Sequence, residues 1–286
     1  MAEYISGVIT FSLIYVIATV GLAIFTGFTG LFSLGHAAFF AVGAYTASIL
    51  TYFYDVNYYL ALAAGTAMAA VVGTIIGYPT LRAKLRSDYF AIATLGFGEA
   101  IRVLLENLEI TQGARGLPGI ANETTLTVVV VATVLVIWIA RNFVYSRYGR
   151  AAIAVREDFV AAEMMGINLF QVRMRSLIFS AMTAGLAGGL FAHYVTFIQP
   201  GMFTSYLSTQ LTASVVAGGM GSITGPVVAA VLFVAIPEAL RVASMWRLVA
   251  YGFLLVAIMV FRPQGLFGYK EISLNSIRRL FRKEVS

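Results

Sequence analysis

Residues 5–26 read ISGVITFSLIYVIATVGLAIFT, an uncharged run that is long enough to cross a lipid bilayer as a helix. Similar apolar runs follow along the chain, and 60% of its 286 residues are hydrophobic while only 11% are charged. Soluble domains carry about 25% charged residues. The composition therefore excludes an ordinary soluble domain and predicts an all-α, polytopic integral membrane helical bundle.

The hydropathy pattern predicts about nine membrane spans, and soft boundaries allow roughly eight to ten. We place them near residues 5–26, 31–51, 59–80, 89–106, 126–145, 176–196, 207–221, 226–240 and 246–262. Most of the 19 basic residues lie after the third, fifth and ninth spans. The positive-inside rule then predicts an outer N-terminus, an inner C-terminus and a basic cytoplasmic tail at 269–286. Anionic membrane lipid explains the net charge of +6, so no nucleic-acid partner is expected.

The sequence contains no motif for catalysis. It has no glycine-rich phosphate loop ending in Gly-Lys-Ser/Thr, no cysteine, and only two histidines, which are far apart. Serine, histidine and acidic residues form no recognisable nucleophile motif. We therefore expect a protein that is not an enzyme, that holds no metal or cofactor, and that has no ATPase of its own.

Glu99 and Arg102 are charged residues within the fourth predicted span, three positions apart, so they share a helix face and can pair. An isolated charge at mid-bilayer costs about 2.5–3.5 kcal/mol on insertion scales, so pairing or a wet cavity is expected. Two interpretations stay open. The pair lines a translocation path, or the span ends early and both groups reach the outer interface.

Glycine-interrupted spans indicate where a translocation path can lie, and residues 27–43, 95–102 and 218–237 have this character. Besides Glu99 and Arg102, the candidates for this path are Ser33, Gly35, His36, Gly218, Gly219 and Gly221. We place His36 about one turn into the second span. There its ring is expected to bond a backbone carbonyl freed by the break, a structural role favoured over cargo contact. Close helix packing is the alternative explanation of the glycines.

The loop at about 147–175 is predicted to be helical up to Gly166, because it is rich in alanine, lacks proline and has a glycine at a C-cap position. Asn168 suits the N-cap of the next helix. The loop would expose four charged side chains to the cytoplasm, namely Arg156, Glu157, Asp158 and Glu163. Such an element can dock on a cytoplasmic partner and transmit its motion to the spans. A merely structural loop is the alternative.

This loop resembles the coupling region of ABC-importer permeases, although the order here is Ala161-Ala162-Glu163 before Gly166 rather than Glu-Ala-Ala before the glycine. Longer blocks resemble more closely the M-type permease of the branched-chain amino-acid importer. They are GLFSLGHAAFFAVGAY (30–45), SDYFAIATLGFGEAIR (87–102), TQGARGLPGI (111–120), YGRAAIAVREDFVAAEMMGIN (148–168) and VVAGGMGSITGPVVAA (215–230). The resemblance covers nearly the whole chain in order, and it implies one permease domain at 1–268.

The resemblance implies a permease subunit of an ATP-driven importer in the cell (inner) membrane. It would move leucine, isoleucine, valine or related small polar solutes into the cytoplasm by alternating access. The implied partners are an H-type permease, two cytoplasmic ABC ATPases that bind the ATP, and an extracytoplasmic solute-binding protein. The residues expected to couple this chain to the ATPases are Arg156, Glu157, Asp158, Glu163 and Gly166. A family permease for urea or amides, an ion-coupled secondary amino-acid carrier and a non-transporting scaffold or receptor are the alternatives.

Overall fold

The computed structural model describes residues 2–239 together with 252, 253, 260, 265, 266 and 268, and this part of the chain is almost wholly helical. Its α-helices are α1 (Ala2–Leu22), α2 (His36–Tyr54), α3 (Tyr58–Arg82), α4 (Ser87–Asn107), α5 (Leu126–Tyr145), α6 (Arg147–Glu157), α7 (Phe159–Met164), α8 (Leu169–Val195), α9 (Ser205–Gly218) and α10 (Thr224–Ala239). Ala23–Gly27 continues α1 as a π-helical turn, and short 3₁₀ turns cover Glu109–Thr111, Gly113–Arg115 and Pro200–Met202. The predicted span near 246–262 and the predicted tail at 269–286 lie largely or wholly outside the described residues.

Several helices have the length and apolar composition of membrane spans, which confirms the predicted helical membrane bundle in outline. Five described helices are long and apolar enough to cross a bilayer, namely α1 with its π-helical turn, α2, α3, α5 and α8. Three other predicted spans coincide with α4, α9 and α10. Of these, α4 carries several charges, and α9 and α10 have 14 and 16 residues. The count of nine spans and the orientation stay predictions.

Helix α8 lies at the centre of the bundle and packs against α1, α2 and α3. Glycines bring α2 and α8 together, because a Cβ on Gly43 would overlap the backbone of Gly185, and a Cβ on Gly188 would overlap the carbonyl oxygen of Phe40. Small residues let the backbones of two membrane helices approach this closely. Helices α3 and α5 instead present rows of exposed large apolar side chains, as expected of surfaces that face lipid.

Contacts between loops define two ends of the bundle. At one end, β1 (Leu117–Pro118) pairs antiparallel with β2 (Phe197–Ile198), which joins the loop after α4 to the loop after α8. At the other end, the π-helical turn after α1 lies beside Met220, which follows α9, and beside the loop formed by α6 and α7. The chain therefore brings its helix breaks and its long loop to the same end.

The predicted start of the second span is wrong, because residues 30–35 are not helical and α2 begins at His36. Gly30 has φ +74°, which ends the preceding helix in the left-handed region that favours glycine. Side chains of α4 then satisfy backbone amides of this segment. The hydroxyl of Ser87 accepts from the Phe32 amide at 3.1 Å, and that of Thr94 accepts from the Leu34 amide at 3.1 Å.

The prediction of one helix up to Gly166 is also wrong, because Asp158 divides it into α6 and α7. The Asp158 carboxylate accepts hydrogen bonds from the amides of Val160 and Ala161 at 2.9 and 3.0 Å, and so caps a new helix. The next helix begins as expected: Asn168 caps α8 by accepting from the Gln171 amide at 3.1 Å. Its start at Leu169 is earlier than the predicted span near residue 176.

Candidate functional site

The first helix break, residues 30–35, leads directly into a buried histidine. His36 is the first residue of α2 rather than one turn inside it, and its side chain is fully buried. Its Nδ1 lies 3.0 Å from the hydroxyl of Ser33, and its Nε2 lies 2.6 Å from the hydroxyl of Ser180 on α8. The expected bond to a freed backbone carbonyl is therefore wrong. A hydroxyl can donate or accept, so a neutral imidazole is satisfied at both nitrogens.

This first break is joined to α9 by further hydrogen bonds. The hydroxyl of Ser208 accepts from the Ala37 amide at 2.8 Å, and the Thr212 hydroxyl donates to the Ser33 carbonyl at 3.1 Å. Gly35 lies against α4 so closely that a Cβ there would overlap the carbonyl oxygen of Thr94. Ser33, Gly35 and His36 thus lie together where α2, α4, α8 and α9 meet.

The second helix break, residues 219–223, separates α9 from α10. Gly218 packs against the start of α10, where a Cβ would overlap the backbone of Gly225 and Pro226. Gly219 follows with φ +114°, a conformation that L side chains rarely adopt. Gly221 lies within the turn that leads to α10. Close packing accounts for Gly218, and backbone conformation accounts for Gly219.

The two helix breaks meet at Arg156. A Cβ on Gly27 would lie 2.6 Å from the carbonyl oxygen of Met220. Nη1 of Arg156 donates to the carbonyl oxygen of Gly27 at 2.9 Å and contacts that of Met220 at 3.4 Å. Its Cγ lies 3.2 Å from the position of a Cβ on Gly30. Arg156 therefore contacts residues at both helix breaks and connects the loop of α6 and α7 to them.

The expectation that Arg156 is freely exposed is wrong, since only 16% of its side chain is accessible. The last carbonyls of a helix lack intrahelical partners and carry the negative end of the helix dipole. A guanidinium with five N–H donors suits such carbonyls. Sequence reasoning missed Gly27 and Met220 as its partners.

The other charged residues of the loop are exposed, as expected. Glu157 pairs with Arg156 at 2.6 Å, and Glu163 pairs with Lys84 at 2.8 Å. Asp158 caps α7, and Gly166, at φ +80°, follows the end of that helix. The exposed apolar side chains of α7 and the turn after it are Phe159, Val160, Met164 and Met165. The loop thus combines an exposed apolar tip with a base fixed to the bundle.

Glu99 and Arg102 pair on α4, as their spacing predicts. Nε of Arg102 donates to Glu99 at 2.8 Å, and its Nη1 donates to Glu106. The Glu99 carboxylate also interacts with the amide and hydroxyl of Ser205 at the start of α9. The helix continues for about two turns beyond Glu99, to Asn107. Both interpretations of the pair, the lining of a path and an early end of the span, stay predictions. All three charged side chains are partly exposed on one face of α4.

Replacing His36 with alanine is expected to destabilise the fold. The change leaves the buried hydroxyls of Ser33 and Ser180 without the imidazole, and unpaired buried polar groups cost about 1–3 kcal/mol. His36→Asn, which keeps a donor and an acceptor, should recover part of the loss. Thermal unfolding of the purified full chain measures both variants. A wild-type melting temperature for His36→Ala would contradict this structural role and favour the alternative of cargo contact.

The sequence is similar to those of known transport proteins. Residues 4–262 match the family model for the branched-chain amino acid transport system permease component. The chain is 34% identical to the high-affinity branched-chain amino acid transport system permease protein LivM of Escherichia coli (strain K12), over 90% of this chain and 68% of LivM. It is 24% identical to the high-affinity branched-chain amino acid transport system permease protein BraD of Pseudomonas aeruginosa, over 90% of this chain and 92% of BraD.

A third relative is the probable branched-chain amino acid transport permease protein LivH of Methanocaldococcus jannaschii, 24% identical over 92% of this chain and 91% of LivH. No solved structure matches the chain significantly. The family match spans the described helices, both helix breaks and the loop of α6 and α7. This multi-pass membrane chain therefore belongs to the family of permease components of branched-chain amino acid transport systems.

Proposed function

We propose that the chain is one of two permease subunits of an ATP-driven importer in the inner membrane. The importer moves leucine, isoleucine or valine into the cytoplasm by alternating access. Family membership and the names of the relatives support this class of transporter. One observation carries the proposal for this chain: the loop of α6 and α7 is apolar and exposed at its tip, and Arg156 fixes its base to both helix breaks.

The loop is suited to receive motion from a cytoplasmic ATPase. Met164 and Met165 are 84% and 82% exposed, and flexible methionines suit an apolar docking contact. A groove on the ATPase would hold this tip and move it when ATP binds. Because Arg156 bonds to the carbonyls of Gly27 and Met220, the motion reaches the ends of α1 and α9 directly. ATP itself is bound by the partner ATPases, since this chain lacks a phosphate loop.

The translocation path is proposed to run along the charged face of α4. Side chains of Glu99, Arg102 and Glu106 are 38%, 27% and 28% exposed there. Partly exposed charges on a membrane helix face protein or water rather than lipid. The second, H-type permease would cover this face and enclose the path. His36 is fully buried, so its proposed role is to hold the first break in place rather than to touch cargo.

The basic loops support an orientation in which the tip of α6 and α7 lies in the cytoplasm. An extracytoplasmic solute-binding protein then delivers cargo to the opposite end, where β1 and β2 pair. Urea or short amides are the alternative cargo within the same family. An ion-coupled carrier is disfavoured because Glu99 and Glu106 are both paired with Arg102, whereas proton coupling needs a carboxylate that can take up a proton.

Affinity purification of the tagged full chain from its own cells tests the assembly. We expect a second permease, two ATPase subunits and, when cargo is present, a solute-binding protein to accompany it. Ligand binding by that solute-binding protein then identifies the cargo. A chain that purifies alone and carries amino acids under a proton gradient would contradict the proposal.

Glu163→Lys is expected to weaken the coupling of cargo uptake to ATP hydrolysis without destabilising the fold. Its pair with Lys84 is exposed on both sides and is worth at most about 1 kcal/mol. Reversing the charge at the docking tip should lower cargo uptake per ATP hydrolysed several-fold, measured in proteoliposomes of the complete complex. Glu109→Lys makes the same charge change in an exposed turn at the opposite end of the bundle. Any effect on docking of the solute-binding protein there should lower uptake and ATP hydrolysis together, so the ratio should stay unchanged. Equal uptake ratios in the two variants would remove Glu163 from the coupling surface.

A further inference from the structure

A cavity of about 240 Å³ opens between the C-terminal end of α3 and the N-terminal end of α8. Its walls are formed by three cations, three apolar residues and the neutral Asn168. The cations are Arg82, Lys84 and Arg173, and the apolar residues are Leu81, Leu169 and Phe170. The role proposed for the chain in transport uses neither this cavity nor Arg173.

The charges around this cavity are unbalanced. No carboxylate is among the described residues that line it, and the pair formed by Lys84 with Glu163 is solvent-exposed and weak. Nε of Arg173 is buried and has no hydrogen-bond partner among the residues the structure describes. A buried donor without an acceptor is unfavourable. An anion in the cavity would supply the acceptor and balance the cations.

The position of the cavity indicates which anion fits. Both α3 and α8 are long and apolar enough to cross the membrane, so the ends that meet here lie at the level of the lipid headgroups. The ring of Phe170 packs edge-on against Tyr78, with 5.8 Å between centroids, and gives the cavity an apolar wall. The guanidinium of arginine can donate two parallel hydrogen bonds to phosphate oxygens. Basic pockets between membrane helices bind anionic headgroups.

We propose that this cavity binds the phosphate of an anionic phospholipid such as phosphatidylglycerol. Arg173 and Arg82 contact the phosphate oxygens, Lys84 lies at the rim, and the apolar residues cover the glycerol and the first methylene groups. A free phosphate ion has the same negative charge but no apolar groups to contact the apolar wall, so a lipid is favoured. Lys84 also links the site to Glu163, and so to the loop of α6 and α7. The site rests on the membrane fold and not on the transport function.

Native mass spectrometry of the full chain in detergent tests the site, with phosphatidylglycerol, phosphatidylcholine and inorganic phosphate as probes. We expect retention of phosphatidylglycerol and not of phosphatidylcholine. Arg173→Gln should lower that affinity about tenfold, as expected for loss of a charge-assisted hydrogen bond. The matched control is Arg175→Gln, two positions along the same helix, where the guanidinium stacks on Tyr148 instead of lining the cavity.

Arg82→Gln is a second variant, at an exposed position, and should weaken binding even if Arg173→Gln fails to fold. Equal retention of the two lipids, or wild-type affinity in Arg82→Gln and in folded Arg173→Gln, would overturn the proposal. Inorganic phosphate that binds equally well and displaces the lipid would also overturn it, since the site would then be one for a free anion.

Discussion

Arg156→Ala is expected to lower transport sharply while the partner ATPases continue to hydrolyse ATP. The variant removes the bonds from the loop to the carbonyls of Gly27 and Met220, which join it to both helix breaks. Hydrogen bonds to charged groups contribute about 1.5–3 kcal/mol each. Cargo moved per ATP hydrolysed should therefore fall by about tenfold or more. Uptake and ATP hydrolysis measured together in proteoliposomes give this ratio.

The matched control for Arg156 is Arg150→Ala on the same helix. Arg150 is exposed and, within the described part of the chain, donates only to the carbonyl of Tyr145 next to its own helix, at 3.0 Å. Its removal should leave the uptake ratio unchanged. Arg156→Lys keeps the charge but not the planar guanidinium, so we expect an intermediate ratio of cargo uptake to ATP hydrolysis. A wild-type ratio in Arg156→Ala would show that motion reaches the helix breaks by another route.

Gly188→Leu is expected to prevent α2 and α8 from packing. Even a Cβ at this position would overlap the carbonyl oxygen of Phe40, and backbone cannot give way as a side-chain tip can. Overpacking in a core costs about 1–3 kcal/mol, and an obstacle formed by backbone places this variant at or above the upper end. Thermal unfolding of the full chain in detergent should show a large drop in melting temperature or little folded protein.

Gly96→Leu is the matched control for Gly188. Both glycines lie within helices, but a Cβ on Gly96 has no heavy atom within 4 Å among the described residues. Its melting temperature should equal that of the wild type. Equal melting temperatures in the two variants would contradict the close approach of α2 and α8.

Composition is sufficient to predict the fold class, because a bilayer requires each crossing segment to satisfy its own backbone hydrogen bonds. It does not predict where helices stop, since those boundaries depend on distant residues. In the non-helical segment at 30–35, the amides of Phe32 and Leu34 donate hydrogen bonds to Ser87 and Thr94, which are 55 and 60 positions away in sequence. Asp158 differs, because an aspartate is a recognisable N-cap and its signal was present in the sequence.

In the candidate site, too, contacts within one helix could be predicted and contacts between distant residues could not. The three-residue spacing of Glu99 and Arg102 predicted their pairing, because that contact lies within one helix. The partners of His36 and Arg156 could not be predicted. Ser180 is 144 positions from His36, and Gly27 is 129 positions from Arg156. The sequence does not show the contact with Gly27, so it predicts that Arg156, a charged residue in a loop, is exposed.

Leucine uptake into proteoliposomes that contain the complete complex tests the central claim most directly. The vesicles hold ATP inside, and the purified solute-binding protein is supplied outside. We predict uptake only when ATP and the binding protein are both present, and none when a proton gradient replaces ATP. Leucine uptake driven by the proton gradient without ATP would contradict the assignment of this chain to an ATP-driven importer.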